Sequence, residues 1–345
     1  MRKIILEYPE PFFKNPKILP IFLPFAGCPR RCIYCDQTLQ TGIKTSSLSK
    51  HLKDFKKRLL NFFSTKKEPI EIGFFGGTFT GIKEDIALEF LKTAKAYKEK
   101  GLILKVRCST RPDFIKKDLI KKLKEQGLDL IELGVQSFDN RVLEFAKRGY
   151  GKEEIFNACK IIKEEGLELG IQLMPGLPLM DSSIWIKDIT YTCSLKPDVV
   201  RIYPCVVIKG TDLERLYINK TYIPWSLKES IIRVARGVLK LWRKGIKVIR
   251  IGLPPQKEIL EKILAGPWHP SLGNMVKGHI FKMYILSVLI CIKPKKILSI
   301  RIPKRFQGDF FGFKGENLRF FNKFGIKKDI IYFYDSGKIE LCFEK

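Results

Sequence analysis

Hydrophobic and polar positions alternate regularly along the first two thirds of the chain. Short apolar runs rich in β-branched and aromatic residues are followed by stretches in which apolar residues recur every three or four positions. The first pattern is typical of buried strands and the second of amphipathic helices. The strands are predicted over residues 18–27, 70–77, 102–110, 128–137, 167–178 and 197–207. The helices are predicted over residues 48–63, 84–98, 113–127, 140–147, 152–165 and 181–195.

Six strand–helix units in succession predict a parallel sheet, because neighbouring strands that run in the same direction need a crossover between them. The fold class is therefore α/β. Periodicity does not distinguish an open sheet from a partial or complete barrel, although six units are too few for an eight-stranded barrel. Polar and reactive residues fall at the carboxyl ends of these strands, where parallel α/β folds place their ligands.

The pattern changes after Val248. Residues 250–275 contain turns, a short helix and a Trp-His-Pro stretch. Residues 296–345 follow the order strand, glycine-rich turn, helix, strand, turn and strand, which predicts a small α+β appendage. We therefore predict two domains, a core at residues 1–252 and a C-terminal extension at residues 253–345.

Neither a secretion signal nor a membrane span is predicted. Residues 1–6 are too short and too polar for a signal, and the longest apolar run is at residues 283–292. That run is far shorter than the roughly 20 residues that a bilayer requires. We expect a cytoplasmic protein without membrane contact. In a reducing compartment, clustered cysteines indicate metal or redox chemistry and not disulfide bonds.

The net charge of the chain is +28, from 64 Lys and Arg against 36 Asp and Glu. Such an excess of positive charge favours polyanionic partners, above all nucleic acid. The lysines are spread along the whole chain, however, which is also typical of solvated helix faces. Composition leaves both interpretations open.

Three of the nine cysteines, Cys28, Cys32 and Cys35, lie within eight residues. Thiolates are suitable ligands for zinc and for iron–sulfur clusters. A structural zinc site takes four protein ligands, and the sequence has no second C-x-x-C and no histidines at ligand spacing. Three thiolates on one loop suit a cluster that leaves one iron open to another ligand. The remaining cysteines, which we expect to be buried apolar residues, are Cys108, Cys159, Cys193, Cys205, Cys291 and Cys342.

The segment CPRRCIYC has the form C-x-x-x-C-x-x-C with an aromatic residue before the third cysteine. It resembles the cluster motif of the radical S-adenosylmethionine (radical SAM) superfamily. Further motifs follow in order and resemble the branch that contains the catalytic subunit of Elongator: FFGGTFTG, STRPDFI, LGVQSFDNRVLEFAKRGY, LMPGLP and VRIYP. Full-length proteins of that branch carry a C-terminal acetyltransferase domain, of which no signature appears after Ile249. The resemblance therefore covers the radical SAM core only.

The resemblance implies a partial TIM-type barrel that binds a 4Fe–4S cluster and SAM. Cys28, Cys32 and Cys35 would hold the cluster, and SAM would chelate its open iron. One-electron reduction, by a donor such as ferredoxin or flavodoxin, would split SAM into methionine and a 5′-deoxyadenosyl radical that abstracts hydrogen from a substrate. No catalytic residue is assigned beyond the cluster.

The resemblance also implies a set of SAM-binding residues at the strand ends. Gln136 and Arg148 would hold the ribose and the carboxylate, and an arginine suits a carboxylate because its planar fork donates two parallel hydrogen bonds. Arg111 and Asp113 follow Ser109 in the motif STRPDFI. For these two residues the alternative to a role in the site is that they cap the next helix. The complete predicted set is Gly76, Gly77, Thr78, Ser109, Gln136, Arg148, Gln172, Met174 and Tyr203.

Basic residues around a glycine-rich turn in the C-terminal extension favour RNA as a substrate. Residues 312–315 form a G-x-x-G with a lysine inside, as in the KH-type loop that clamps a nucleic-acid backbone. A plain hairpin turn is the alternative. The candidate RNA-binding residues are Arg301, Lys304, Arg305, Gly312, Lys314 and Gly315.

Three functions therefore remain open at this point. The first is a radical SAM enzyme that acts on RNA, in particular tRNA, and the second is a radical SAM enzyme that acts on a small metabolite. The third is a basic RNA-binding protein whose cysteines hold a structural metal. Iron with sulfide would exclude the third function, and salt-dependent RNA binding would separate the first two.

Overall fold

A computed structural model describes residues 1–13, 17–38, 47–65, 68–253 and 257–345 of the chain. Over these residues the strands are β1 (Arg2–Leu6), β2 (Ile18–Leu23), β3 (Ile70–Gly76), β4 (Ile103–Thr110), β5 (Leu130–Gln136), β6 (Glu168–Leu173), β7 (Val199–Ile202), β8 (Val207–Ile208), β9 (Lys247–Ile251), β10 (Ile263–Ala265), β11 (Lys296–Pro303), β12 (Ile331–Tyr334) and β13 (Ile339–Glu344). The α-helices are α1 (Leu48–Thr65), α2 (Glu84–Lys98), α3 (Lys117–Glu125), α4 (Asn140–Phe145), α5 (Lys152–Glu164), α6 (Ser182–Leu195), α7 (Asp212–Ile218), α8 (Leu227–Arg243), α9 (Lys257–Leu260), α10 (Leu272–Ile292), α11 (Gln307–Phe311) and α12 (Glu316–Asn322).

The central element is a sheet in which β2, β3, β4, β5, β6, β7 and β9 lie side by side in that order. Every neighbouring pair is parallel, and the sheet curls into a half-barrel. The helices that follow the strands pack through one apolar side. In α3, for example, Ile120 and Leu123 are buried while the lysines between them are exposed. The predicted fold class, an α/β partial barrel with a C-terminal α+β part, is confirmed.

The half-barrel has one strand more than the six that were predicted. The additional strand, β9, pairs in parallel with β7 and forms the last strand of the sheet. Its sequence, KVIRI, has cations at two of five positions, so the apolar pattern ends just before it. One of these cations, Arg250, lines the cavity described below, which explains why a polar residue stands in a core strand.

The C-terminal residues form a second sheet, to which the N-terminal strand also belongs. β1 pairs antiparallel with β13, β13 pairs antiparallel with β11, and β12 lies parallel to β11 at the far edge. The sequence pattern predicts neither β1 nor α11, which are both too short for a clear periodicity. The proposed boundary between residues 252 and 253 stays a prediction.

Tyr8 joins the two parts of the molecule. Its ring is buried, with centroids 5.9 Å from Trp242 of α8, 5.0 Å from Phe281 of α10 and 4.7 Å from Phe306. Aromatic pairs at such distances stabilise a fold by about 1 kcal/mol each beyond the burial of their area. One continuous apolar core therefore runs from the half-barrel into the C-terminal sheet.

One described helix, α10, is long and apolar enough to cross a membrane, judged by its length and composition. It begins at Leu272, well before the apolar run that the sequence shows at residues 283–292. In the structure, Val276, Ile280 and Phe281 are buried, and the helix packs against α8 and α11. These contacts cover part of the helix surface.

Candidate functional site

A cavity of about 520 Å³ opens at the carboxyl edge of the half-barrel. Its walls contain the three clustered cysteines and every residue that was predicted to bind SAM. These residues are Cys28, Cys32, Cys35, Gly76, Gly77, Thr78, Ser109, Gln136, Arg148, Gln172, Met174 and Tyr203. The structure therefore brings the whole predicted set together, as the shared edge of parallel strands requires. The individual roles of these residues stay predictions.

The cysteines lie on a loop that leaves β2 and packs against the end of β3. Gly27 has a φ of +71°, and a Cβ there would lie 2.3 Å from the Thr78 carbonyl oxygen. The Thr78 amide donates to the Ala26 carbonyl oxygen at 2.7 Å. A Cβ on Gly77 would meet that same oxygen at 2.1 Å. Close packing between the cysteine loop and the end of β3 is thus sufficient to require glycine at positions 27 and 77.

The three thiols share one wall of the cavity but differ in their surroundings. Cys28 Sγ lies 3.2 Å from the Thr78 hydroxyl, and Cys32 Sγ accepts a hydrogen bond from Arg148 Nη1 at 3.0 Å. Burial, reinforced by the neighbouring Cys32 and Cys28, raises the pKa of the Cys35 thiol to about 12. Three thiolates in such a place are stable only beside positive charge, which metal coordination supplies. The donor set therefore fits a metal group.

The number of donors favours a cluster over a structural zinc ion. A structural zinc ion takes four protein ligands, whereas three cysteines line this cavity. Iron–sulfur clusters are held by cysteine thiolates. The three cysteines therefore fit the predicted cluster.

Arg148 is buried behind Cys32 and ties it to the adjoining strands. Its Nε donates to the Tyr150 hydroxyl at 2.7 Å. Its Nη1 donates to Cys32 Sγ at 3.0 Å and to the Tyr34 hydroxyl at 3.1 Å, and its Nη2 donates to the Gly134 carbonyl oxygen at 2.7 Å. These contacts occupy most of the five N–H donors of a guanidinium. Arg148 thus supports a candidate cluster ligand, a position that the resemblance did not indicate.

Gln136 ends β5 in a left-handed conformation with a φ of +69°. Such a conformation costs a residue with a side chain about 1 kcal/mol or more, so the surroundings must enforce it. The buried carboxylate of Asp188 in α6 accepts hydrogen bonds from the Ser137 hydroxyl at 2.9 Å and from the Phe138 amide at 2.8 Å. The Gln136 side chain in turn accepts a bond from Gln172 Nε2 at 3.4 Å. Asp188 therefore fixes the backbone just after Gln136.

Arg111 and Asp113 pair with each other and cap no helix. Arg111 Nε and Nη2 donate to the two Asp113 carboxylate oxygens at 2.9 and 2.7 Å. Arg111 Nη2 also donates to the Arg148 carbonyl oxygen at 2.5 Å. Neither the short 3-10 turn at Pro112–Phe114 nor α3 has a side-chain cap. The capping alternative is thus wrong, because the guanidinium reaches across to the backbone of Arg148.

A layer of paired charges inside the half-barrel, beneath the cavity, escapes prediction from the sequence. Arg107 of β4 forms ion pairs with Glu71 of β3 and Glu132 of β5. Arg201 of β7 also pairs with Glu132, and it donates to the Tyr203 hydroxyl at 3.2 Å. Arg201 and Tyr203 both line the cavity. Charged residues within four otherwise apolar strands are the signal that could have shown this layer.

The other cysteines are not uniformly buried. The buried ones are Cys108, Cys159, Cys193 and Cys205. Cys291 is exposed near the end of α10, and Cys342 is half-buried in β13. The expectation of a buried side chain is therefore wrong at these two positions, which lie on the partly solvated sides of their elements.

The predicted RNA-binding cations lie on the surface of the C-terminal part. Lys304 pairs with Asp335 at 2.8 Å, and Arg301 lies 3.8 Å from Glu340. The Arg305 guanidinium lies 5.3 Å from the ring centroid of Phe12, whose side chain is 78% exposed. A cation beside an exposed aromatic ring is a surface on which a base can stack.

The G-x-x-G stretch connects α11 to α12, so the alternative of a plain hairpin turn is wrong. Gly312 has a φ of +69° and packs so tightly that a Cβ would lie 2.7 Å from Asn317 Cγ. Gly315 has a φ of +72° but open space around it, and Lys314 between them is exposed. Only the first glycine is therefore explained by packing.

Family models match most of this chain. The model for the radical SAM superfamily matches residues 22–185, and the model for the radical SAM C-terminal domain matches residues 197–282. The chain is 36% identical over 206 residues to the tRNA uridine(34) acetyltransferase of Methanocaldococcus jannaschii. That match covers 58% of this chain and 36% of the relative, so the chain spans only about a third of that protein.

Solved structures share the fold. An archaeal Elp3 from Methanocaldococcus infernus, with residues 1–46 deleted, superposes with a TM-score of 0.61 at 22% identity and covers 79% of this chain and 64% of its own. Coproporphyrinogen III oxidase from Escherichia coli superposes with a TM-score of 0.53 at 18% identity and covers 69% of this chain and 54% of its own. At such identities the likeness shows the half-barrel fold alone.

Proposed function

Because the chain belongs to the radical SAM superfamily, we propose that it modifies RNA of the tRNA class by hydrogen abstraction. The chain is an iron–sulfur enzyme of that family, whose cofactors are a 4Fe–4S cluster and SAM. Enzymes of this family need a reductant. The observation that carries the proposal is the cavity of about 520 Å³, in which cysteines and strand-end residues share one space.

The chain's own residues would hold and shield these cofactors. Cys28, Cys32 and Cys35 would bind the cluster, and the Arg148 guanidinium would hold Cys32 in place through its 3.0 Å hydrogen bond. When bound, cluster and SAM supply a one-electron cleavage of SAM, and 5′-deoxyadenosine forms once hydrogen has been abstracted. Phe75 on the cavity wall would help to exclude water from that step.

Two cavity arginines would make the site suitable for an anionic substrate. Arg201 lines the floor beside Tyr203, and its charge is balanced by Glu132. Arg250 lines the wall of β9, where its Nε donates to the Gly252 carbonyl oxygen at 3.2 Å. A guanidinium held by the backbone in this way can still offer its terminal N–H groups to a phosphate.

Charge and surface chemistry support RNA. The net charge of +28 favours a polynucleotide through counterion release. Arg305 beside exposed Phe12, and Arg301 opposite exposed Tyr332 in the C-terminal sheet, combine cations with aromatic rings on the surface. The M. jannaschii relative is named as an enzyme of tRNA uridine 34.

The test is product formation by anaerobically reconstituted protein with dithionite and SAM, followed as 5′-deoxyadenosine, with and without bulk tRNA. We expect product in both reactions and more of it with tRNA, with the stimulation lost as salt is added. A full cluster without product would contradict the enzymatic assignment. Product that tRNA does not stimulate would contradict the RNA substrate and favour a small metabolite.

A further inference from the structure

A second surface depression lies beside the cavity, and the proposed function makes no use of it. Its lining includes Arg30, Arg31, Lys147, Glu144 and Tyr150. We infer that this depression is the docking site for an acidic one-electron carrier protein of the ferredoxin or flavodoxin class. The inference rests on the proposed function, because it concerns the electron that the cluster receives.

The depression is positively charged at its rim. Arg30 and Arg31 are exposed, as is Lys147, whereas Glu144 is the one carboxylate among the described residues that line it. Lys147 forms an ion pair with Asp212 at 2.8 Å, which offsets part of its positive charge. The balance still favours an acidic partner, because complementary charge steers association and fixes the orientation of docking.

The two arginines are held in place by their neighbours. The Arg30 guanidinium covers Gly149 so closely that a Cβ there would lie 2.5 Å from Arg30 Nη1. The Arg31 guanidinium lies 4.4 Å from the ring centroid of Phe25, a cation–π distance. Fixed cations lose less side-chain entropy on binding than free ones, and therefore suit an interface.

A chain of hydrogen bonds links the floor of the depression to a candidate cluster ligand. Tyr150 lines the depression, and its hydroxyl accepts from Arg148 Nε at 2.7 Å. Arg148 Nη1 donates to Cys32 Sγ at 3.0 Å. A carrier seated here would thus be separated from Cys32 by two buried side chains, those of Tyr150 and Arg148. Electron transfer between proteins is fast only over such short separations.

The position also keeps the carrier outside the cavity. Arg30 and Arg31 belong to the loop between Cys28 and Cys32, and they stand between the cavity and the depression. A docked protein would therefore not compete with SAM or substrate. Phe145, which is 40% exposed, follows Glu144 of the depression on α4 and would add an apolar contact to such an interface.

The transfer is simple to balance. The reduced carrier gives up one electron and the oxidised cluster accepts it, and no bond is formed or broken and no proton moves. Dithionite delivers the same electron as a small ion that needs no docking surface. A comparison of the rates with the two reductants therefore separates effects on docking from effects on the later chemical steps.

The experiment compares an acidic flavodoxin with dithionite on the reconstituted protein. Arg30→Glu/Arg31→Glu reverses two charges, Arg30→Lys/Arg31→Lys keeps them, and Lys327→Glu/Lys328→Glu reverses two exposed charges in the C-terminal part. Binding of oxidised flavodoxin is measured by titration calorimetry at low and high salt. Product is measured as the ratio of the flavodoxin-supported rate to the dithionite-supported rate.

We expect the Glu variant to bind flavodoxin at least about tenfold more weakly than the unchanged protein does, in line with electrostatic steering. Its flavodoxin-supported rate, divided by its dithionite-supported rate, should fall by a similar factor. The Lys variant and the Lys327/Lys328 variant should resemble the unchanged protein, and salt should weaken binding in all three. An unchanged ratio in the Glu variant, or an equal loss in the Lys variant, would overturn the docking site. If dithionite gives the unchanged protein no product, the proposed function fails, while the calorimetry still tests the docking site.

Discussion

The mouth of the half-barrel and the surface of the C-terminal part were both predicted to bind a ligand, yet they are built differently. At the mouth, residues far apart in sequence share neighbours, as when Arg148 contacts Cys32 through its guanidinium. On the C-terminal surface, Lys304 and Arg301 lie beside carboxylates of their own sheet region, Asp335 and Glu340. Motifs that must surround one ligand constrain each other's positions, whereas surface cations do not.

The largest expected effect concerns the mouth. Cys32→Ala should abolish both the bound iron and the formation of 5′-deoxyadenosine, because two remaining thiolates cannot hold a cluster. Iron and sulfide content and the visible spectrum of the reconstituted protein provide the measurement. Cys159→Ser, at a buried cysteine in α5, should leave both unchanged. A full cluster in the Cys32→Ala protein would contradict the assignment of Cys32 as a cluster ligand at the mouth.

Arg148→Met should show how strongly the mouth depends on its internal hydrogen bonds. Removing four hydrogen bonds of a buried guanidinium should lower the free energy of unfolding by about 3 kcal/mol. The matched change Arg305→Met on the C-terminal surface should cost less than about 0.5 kcal/mol. Urea unfolding of the cluster-free proteins measures both. Equal losses of unfolding free energy would mean that the neighbours of Arg305 contribute as much to stability as those of Arg148.

The two glycines of the G-x-x-G stretch offer a comparison within the C-terminal part. Gly312→Ala should lower the free energy of unfolding by about 2 to 3 kcal/mol, since strain adds to a clash with Asn317. Gly315→Ala has a similar φ but open space, and should cost about 1 kcal/mol. Thermal unfolding of both variants gives the difference. A larger loss at Gly315 would contradict the packing described here.

The pH dependence of stability should report on Asp188 behind the mouth. Burial raises the pKa of its carboxyl to about 7, above its ordinary value of 3.8. The folded state therefore binds more protons than the unfolded state between these values, and Asp188 makes stability fall as the pH rises through that window. Asp188→Asn should reduce the fall between pH 5 and pH 8 by about 2 to 3 kcal/mol. Parallel stability curves for the two proteins would show that Asp188 is not desolvated.

The smallest expected effect concerns RNA. Arg305→Ala should weaken tRNA binding by about 1 kcal/mol and reduce its salt dependence by about one counterion. Filter binding at several salt concentrations provides the measurement. Lys160→Ala, at an exposed helical lysine in α5, is the control and should change neither value. Equal effects of the two variants would indicate that general charge, and not this surface, attracts RNA.

The sequence was most informative where local pattern and function coincide. The helix over residues 84–98 was predicted with its observed limits, and the six apolar strands were all found, because burial on both faces gives a continuous signal. The cavity residues were found through the resemblance to the radical SAM superfamily, and several of them, such as Gly76 and Gln136, stand at strand ends. β9 was missed because Arg250 interrupts its apolar pattern, and β1 because its partner, β13, lies at the other end of the chain.

Interactions between distant residues are what the sequence could not supply. Nothing local indicates that Glu132 meets both Arg107 and Arg201, since these contacts depend on how three strands align. The same is true of Arg148, whose hydrogen bond to Cys32 gives it a supporting position that no motif records. Register and side-chain direction, set by packing, decide such contacts.

The pairing of β1 with β13 has a consequence for how the protein is made. Arg2 lies opposite Phe343, so β1 leaves the ribosome long before its partner strand, β13, has been made. The half-barrel, whose strands pair with near neighbours in sequence, can form earlier. During that interval β1 is an unpaired strand, exposed to pairing with other chains. The C-terminal sheet should therefore close around β1 only after β13 has left the ribosome.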